Sequence, residues 1–147
     1  MKTKLSTADF DLMSWHDNPI HAFRIVEGEN GQGDFVLDID HIEEWIPSNS
    51  SFQFRLQPAT LRFFGVSGLK LAIDFSASSI ALGPISIYAI ERRTEKRERY
   101  VAQLWRIVLN SPEGLIEFEA SGFEQTAWGP AVVSQRQQLL SEERKGV

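Results

Sequence analysis

Apolar and polar positions along this chain repeat mostly with a period of two. Phe35, Leu37 and Ile39 are interleaved with Val36, Asp38 and Asp40. Phe52, Phe54 and Leu56 are interleaved with Gln53, Arg55 and Gln57. The same alternation recurs at Leu69, Leu71, Ile73 and Phe75, and again at Ile116, Phe118 and Ala120. Successive side chains of a strand point to opposite faces, so each segment predicts a strand with one buried and one wet face. One-sided strands of this kind belong to antiparallel sheets. Other segments are apolar on both faces: Ile20 to Val26, Leu61 to Val66, Ile85 to Ile90 and Tyr100 to Leu109. Their Ile, Val, Phe, Tyr and Trp content favours strands that are central or covered on both sides.

This pattern predicts eight or nine strands, against about five or six in a typical sheet, so the sheet must fold over. The expected fold is mainly β, an antiparallel sandwich or flattened barrel with one short C-terminal helix, in a single domain spanning residues 1–147. The inward set expected from the alternation is Phe35, Leu37, Ile39, Phe52, Phe54, Leu71, Ile73, Phe75, Ile87, Trp105, Ile107, Ile116 and Phe118.

Turn chemistry separates the strands. Gly28 to Gly33 reads as a glycine-rich reversal. Ser67-Gly68 reads as a hairpin, Ser111 to Gly114 as a four-residue turn, Pro47 to Ser51 as a loop, and Ser76 to Pro84 as a longer connection. Three segments carry helix signals. Ser134-Gln135-Arg136-Gln137 has the capping-box form and is followed by good helix formers through Arg144. Asp40 to Trp45 suggests one turn stopped before Pro47, with Asp40 as its cap. Thr7 to Met13 suggests another, with Thr7 as its cap.

Composition narrows the functional classes. The chain has 147 residues, a net charge of −5 and no cysteine. The absent thiols exclude disulfides, thiolate zinc sites and cysteine nucleophiles. An acidic chain argues against a nucleic-acid partner, since phosphate binders are basic, and favours a protein partner with a basic surface. No run approaches a membrane span or the apolar core of a secretory signal, which predicts a cytoplasmic protein without a membrane partner.

The histidines and their acidic neighbours are the first chemistry to weigh. His16-Asp17, His21 and Asp38-x-Asp40-His41 carry ligand types that suit zinc, iron or manganese. Convergence of His16, Asp17, Asp38, Asp40 and His41 would give a metal-assisted hydrolase or isomerase. Strand geometry opposes it: an offset of five turns His16 and His21 to opposite faces, and His41 faces away from Asp38 and Asp40 if the strand runs through it. Caps and turn hydrogen bonds account for the same residues more simply. Glu117 and Glu119 share a strand face roughly 6.5–7 Å apart, a separation a glycosidase pair could use, but both lie on the polar face of a cleanly alternating strand, and a solvated face beside Arg106 explains them better. The mixed-charge run Glu91 to Arg99 reads as an exposed hairpin tip. There is no P-loop, nucleophile elbow, dinucleotide fingerprint or HExxH motif, and no cofactor is expected.

Four tryptophans remain. Trp105 belongs to a core strand. Trp45 and Trp128 lie beside Pro47 and Gly129-Pro130, where an aromatic can either cap the core or anchor a partner. Together with Trp15, His16 and Asp17 they form the expected partner-binding end of the sheet.

The succession Trp15-His16-Asp17, then Leu37 to Ile42 before Trp45, then Pro58-Ala59-Thr60-Leu61-Arg62-Phe63, resembles a group of small uncharacterised bacterial proteins rich in β structure. Ala120 to Gln125 and the ending with Ser134, Gln135 and Leu139 fit the same group. The Trp-His-Asp opening is also similar to that of some immunity proteins of bacterial toxin systems. The resemblance implies a non-catalytic, partner-binding protein and carries over no functional residue.

Overall fold

Nine strands are present in the computed structural model, which describes residues 4–76 and 82–144. They are β1 (Lys4–Ser6), β2 (Pro19–Glu27), β3 (Gly33–Ser48), β4 (Ser51–Ile73), β5 (Ile85–Lys96), β6 (Val101–Ser111), β7 (Glu113–Glu119), β8 (Gly122–Ala127) and β9 (Val132–Ser134). Every pairing is antiparallel, as the one-sided alternation requires. Successive pairings run β4–β3–β2–β5–β6–β7 and return to β4. The narrowest link is β2–β5, where only Pro19 and Ile20 pair with Ser86 and Ile85. The main connection of the Ser76–Pro84 loop lies outside the described residues. No helix among the described residues is long and apolar enough to cross a membrane.

The long strand β4 explains most departures from the local pattern. Phe54 and Leu56 are buried on one face, and Ala59, Leu61 and Phe63 on the other. The phase of the alternation changes around Pro58, which imitates a break between strands. One continuous strand instead exchanges its buried face. Ala59, Leu61 and Phe63 enter the main core with Phe35, Leu37, Ile39, Trp105, Ile107 and Phe118. Phe54 and Leu56 join Ile42 and Leu139 in a second, smaller core on the opposite side.

No hairpin forms at Ser67-Gly68. The strand continues, with Gly65 and Gly68 at positive φ and a register shift between Ser67 and Lys70. Glycine tolerates that backbone, so the chain bends through a bulge and passes from β3 and β8 to β7. Asp40 to Trp45 is not a helical turn either. These residues pair with Pro58 to Phe54 across a bulge near Glu44, and a full ladder outcompetes a one-turn helix. Pro47 to Ser51 contracts to a tight reversal at Asn49-Ser50, with Asn49 at positive φ. The reversal at Gly28 to Gly33 forms as expected, and so does the charged tip between Lys96 and Val101.

The C-terminal helix does not form. Val132–Ser134 pairs with Phe54–Leu56 as β9, and only a 3-10 turn at Ser141–Glu143 follows. An isolated helix of that length is marginal in water, so tertiary partners decide. Here Leu139 is buried in the second core, and its backbone N–H donates to Asp40 Oδ2 at 2.8 Å. Thr7–Leu12 is a 3-10 segment, but its cap is Ser6, whose N–H donates to Asp9. Thr7 instead accepts from the Phe123 N–H. Two residues of the expected inward set are exposed: Phe52 and Leu71 lie near the two ends of β4, beyond the layers that cover its middle. Ile73 and Phe75 pack only partly against the main core.

Candidate functional site

Residues Trp15 to Asn18 form the loop that organises the site. Trp15 is buried, and its indole Nε1 donates to the buried Gln125 side chain at 2.8 Å. Asp17 sits at φ 65°, and its N–H donates to the Ile87 carbonyl. Its carboxylate accepts from Asn110 and Gln137. The anchored loop places His16 outward between β3 and β5. The Tyr88 carbonyl can only accept, so His16 Nδ1 donates to it, at 3.1 Å. His16 Nε2 lies 3.6 Å from Asp17 Oδ2, too long for a hydrogen bond. Tyr88, not Asp17, therefore orients the ring.

His16 is the middle of a surface row of rings. It lies 5.5 Å from Tyr88 and stacks on Trp45 at 6.1 Å, and Trp45 meets Phe52 edge-on at 5.8 Å. Tyr88, Trp45 and Phe52 are 55, 39 and 47% exposed. Beside the row opens a cleft of about 560 Å³, lined by His16, His41, Glu43, Trp45, Leu12 and Met13, among others. Three carboxylates line it (Asp9, Glu43 and Glu44), and no Lys or Arg does.

His41 has a defined protonation pattern. Asn18 is fully buried, and its Oδ1 accepts the Ile42 N–H at 3.1 Å. Its amide nitrogen therefore faces His41 Nδ1, at 2.8 Å. An amide nitrogen only donates, so Nδ1 is the unprotonated nitrogen and the neutral ring carries its hydrogen on Nε2. Burial reinforces this by lowering His41 from 6.5 to about 4. Nearby, Glu43 Oε2 is buried and meets no hydrogen-bond donor among the described residues. Burial raises the Glu43 carboxyl above its ordinary value, and Arg55 pulls the other way.

Asp38 and Asp40 belong to a different place, on the opposite side of β3 from His41. Asp40 is fully buried and accepts from His21 Nε2 at 2.6 Å. Arg144 pairs with both Asp38 and Asp40, and its guanidinium lies over the Trp128 ring at 5.2 Å. Trp128 lines a separate cavity of about 400 Å³ with Asp38, Thr60 and Arg24. Burial and Arg144 lower His21 to about 4.

The expected site residues are thus divided. His16 and Trp45 come together, with Asp17 bracing the loop behind them. Trp15 is turned into the core, and Trp128 stands with the Asp38–Arg144 group. The five possible metal ligands do not converge, and no group of three His, Asp or Glu suited to a metal ion occurs among the described residues. Asp40 caps no turn. Glu117 faces Arg106 at 3.5 Å, and Glu119 accepts from Tyr100, consistent with a solvated, charge-paired face.

Sequence reasoning missed Tyr88, Phe52, His41 as a donor, and Glu43. The alternation places Phe52 inward, and Tyr88 lies within a segment apolar on both faces. A Glu two residues from His41 on a strand was the one available signal for the cleft. No protein-family model and no curated protein matches this chain.

Proposed function

We propose that the protein is a non-catalytic binding module that engages a protein partner with a basic surface. The row Tyr88–His16–Trp45–Phe52 is the contact. The observation that supports it most is that these four rings meet in a continuous row while all four stay substantially exposed. Rings in such an arrangement offer large, stiff contact area at low entropy cost, as interface hot spots do. Leu12, 89% exposed at the cleft rim, extends the apolar part. The acidic cleft and the net charge of −5 favour a basic partner and fast, salt-sensitive association. The antiparallel sheet, whose strand pairings return to β4, is the rigid frame. A non-catalytic, partner-binding role also agrees with the resemblance to immunity proteins of toxin systems.

Trp45→Ala should weaken partner binding at least tenfold and lower unfolding stability by about 1–3 kcal/mol, because Trp45 is 39% exposed yet packs edge-on against Phe54 of the second core at 5.0 Å. Affinity capture from the native host tests this with wild type, Trp45→Ala and Trp128→Ala. A basic protein should be retained by wild type and Trp128→Ala, and released from both by raised salt. A partner held equally by Trp45→Ala would remove the row from the interface.

A further inference from the structure

The cleft beside the ring row has a polar floor that the row does not need. Of its three lining carboxylates, Glu44 is paired with Arg55 at 3.2 Å and Asp9 accepts the Ser6 N–H, while one oxygen of the third, Glu43 Oε2, is buried without a donor among the described residues. A buried acceptor left unmade costs about 1–3 kcal/mol, so an arriving N–H group there recovers interaction as well as adding it. Beside it stands His41, whose Nε2 hydrogen is fixed by Asn18 and has no acceptor among the described residues. The floor therefore presents one acceptor that carries or shares negative charge and one neutral donor. Its wall is aromatic, with Trp45 and His16 stacked.

We infer that the cleft is the seat of a single arginine side chain from the partner, paired with Glu43 and stacked against Trp45. The inference rests on the binding-module reading and names the anchor that makes it specific. A guanidinium matches this lining better than an ammonium. It is planar, stacks on aromatic faces, gives up hydration more easily, and directs several N–H groups at once. Leu12 and Met13 suit its methylene stem. The His41 Nε2–H is left for a carbonyl of the same partner segment. Because Asn18 keeps Nδ1 unprotonated, His41 adds no positive charge to repel the incoming cation.

Titration of the isotope-labelled protein with blocked tripeptides carrying arginine, lysine or norleucine between glycines tests the anchor. The Trp45 indole and His41 ring resonances report occupancy of the cleft. The arginine peptide should half-saturate them at a concentration at least fivefold lower than the norleucine peptide, with lysine between. Glu43→Gln should bring arginine down to the norleucine level. Equal response to arginine and norleucine, or full arginine binding by Glu43→Gln, would overturn the inference. If Glu43→Gln fails to fold, the wild-type comparison of the three peptides decides alone. An equal response to all three peptides, with partner capture still dependent on Trp45, leaves the surface in place and removes only the anchor. Partner capture that ignores Trp45 removes both.

Discussion

Arg144→Ala should destabilise the protein by about 3–5 kcal/mol, the usual cost of removing one partner from a buried ion pair. Asp40 is fully buried between His21, the Leu139 N–H and Arg144, so losing the guanidinium leaves an uncompensated charge in the interior. The loss should extend beyond the pair itself. Arg144, Leu139 and β9 are what hold the C-terminal segment across β3 and β4. Urea unfolding of wild type, Arg144→Ala, Asp40→Asn and the double variant measures the coupling. The double variant should be clearly less impaired than the sum of the two single changes. A loss below about 1 kcal/mol in Arg144→Ala would mean that the segment is held mainly by Leu139 and β9.

Acid should weaken the fold well before most carboxylates titrate, and His41 should be one of two reasons. Its folded value, about 4, lies below the 6.5 of an unperturbed ring. Between those values the unfolded chain takes up a proton that the native ring refuses. Stability is therefore intact above pH 6.5, falls as pH drops from 6.5 towards 4, and levels off below. The linkage amounts to about 2 kcal/mol by pH 5 and about 3 kcal/mol by pH 4. His21, lowered to about 4 by burial and Arg144, adds a second contribution of the same sign over the same range. His41→Gln keeps an acceptor for Asn18 and cannot titrate. Its unfolding free energy should change between pH 7 and pH 5 by about 2 kcal/mol less than that of wild type. Parallel pH profiles would show that the native ring protonates freely.

The architecture was largely readable from residue alternation, and the places where reading failed share a cause. Phe35, Leu37 and Ile39, or Ile116 and Phe118, alternate against a single core, so their pattern reports burial directly. Phe54 and Leu56 face a second core that exists only because Leu139 and Val132 return to cover it. No local window contains that information. The same return abolished the expected C-terminal helix. Capping and propensity signals from Ser134 onward are worth little against a buried Leu139 and the Asp40–Arg144 pair. The site was half legible. His16, Asp17 and Trp45 stood out as polar or aromatic residues beside turns. Tyr88 and Glu43 sat within strands, and only the third dimension brought them to His16 and His41. Trp15 and Trp128 show the limit of the turn argument, since position beside a turn does not say which way an indole points.

The 23-residue span of β4 also carries a consequence for how the chain comes off the ribosome. One edge of β4 is satisfied early, by β3, through the short Asn49-Ser50 reversal. Such a hairpin closes in microseconds. The other edge belongs to β7, β8 and β9, which are residues 113–134. At about 5–20 residues per second of synthesis, that edge stays open for seconds after β4 emerges. Over this interval Phe52, Phe54, Leu61 and Phe63 ride on an unpaired ladder, a template for joining another nascent chain. A stalled or truncated product ending before residue 113 would keep that edge open indefinitely. Aggregation during expression should therefore track the supply of the last thirty-five or so residues more closely than the stability of the finished protein.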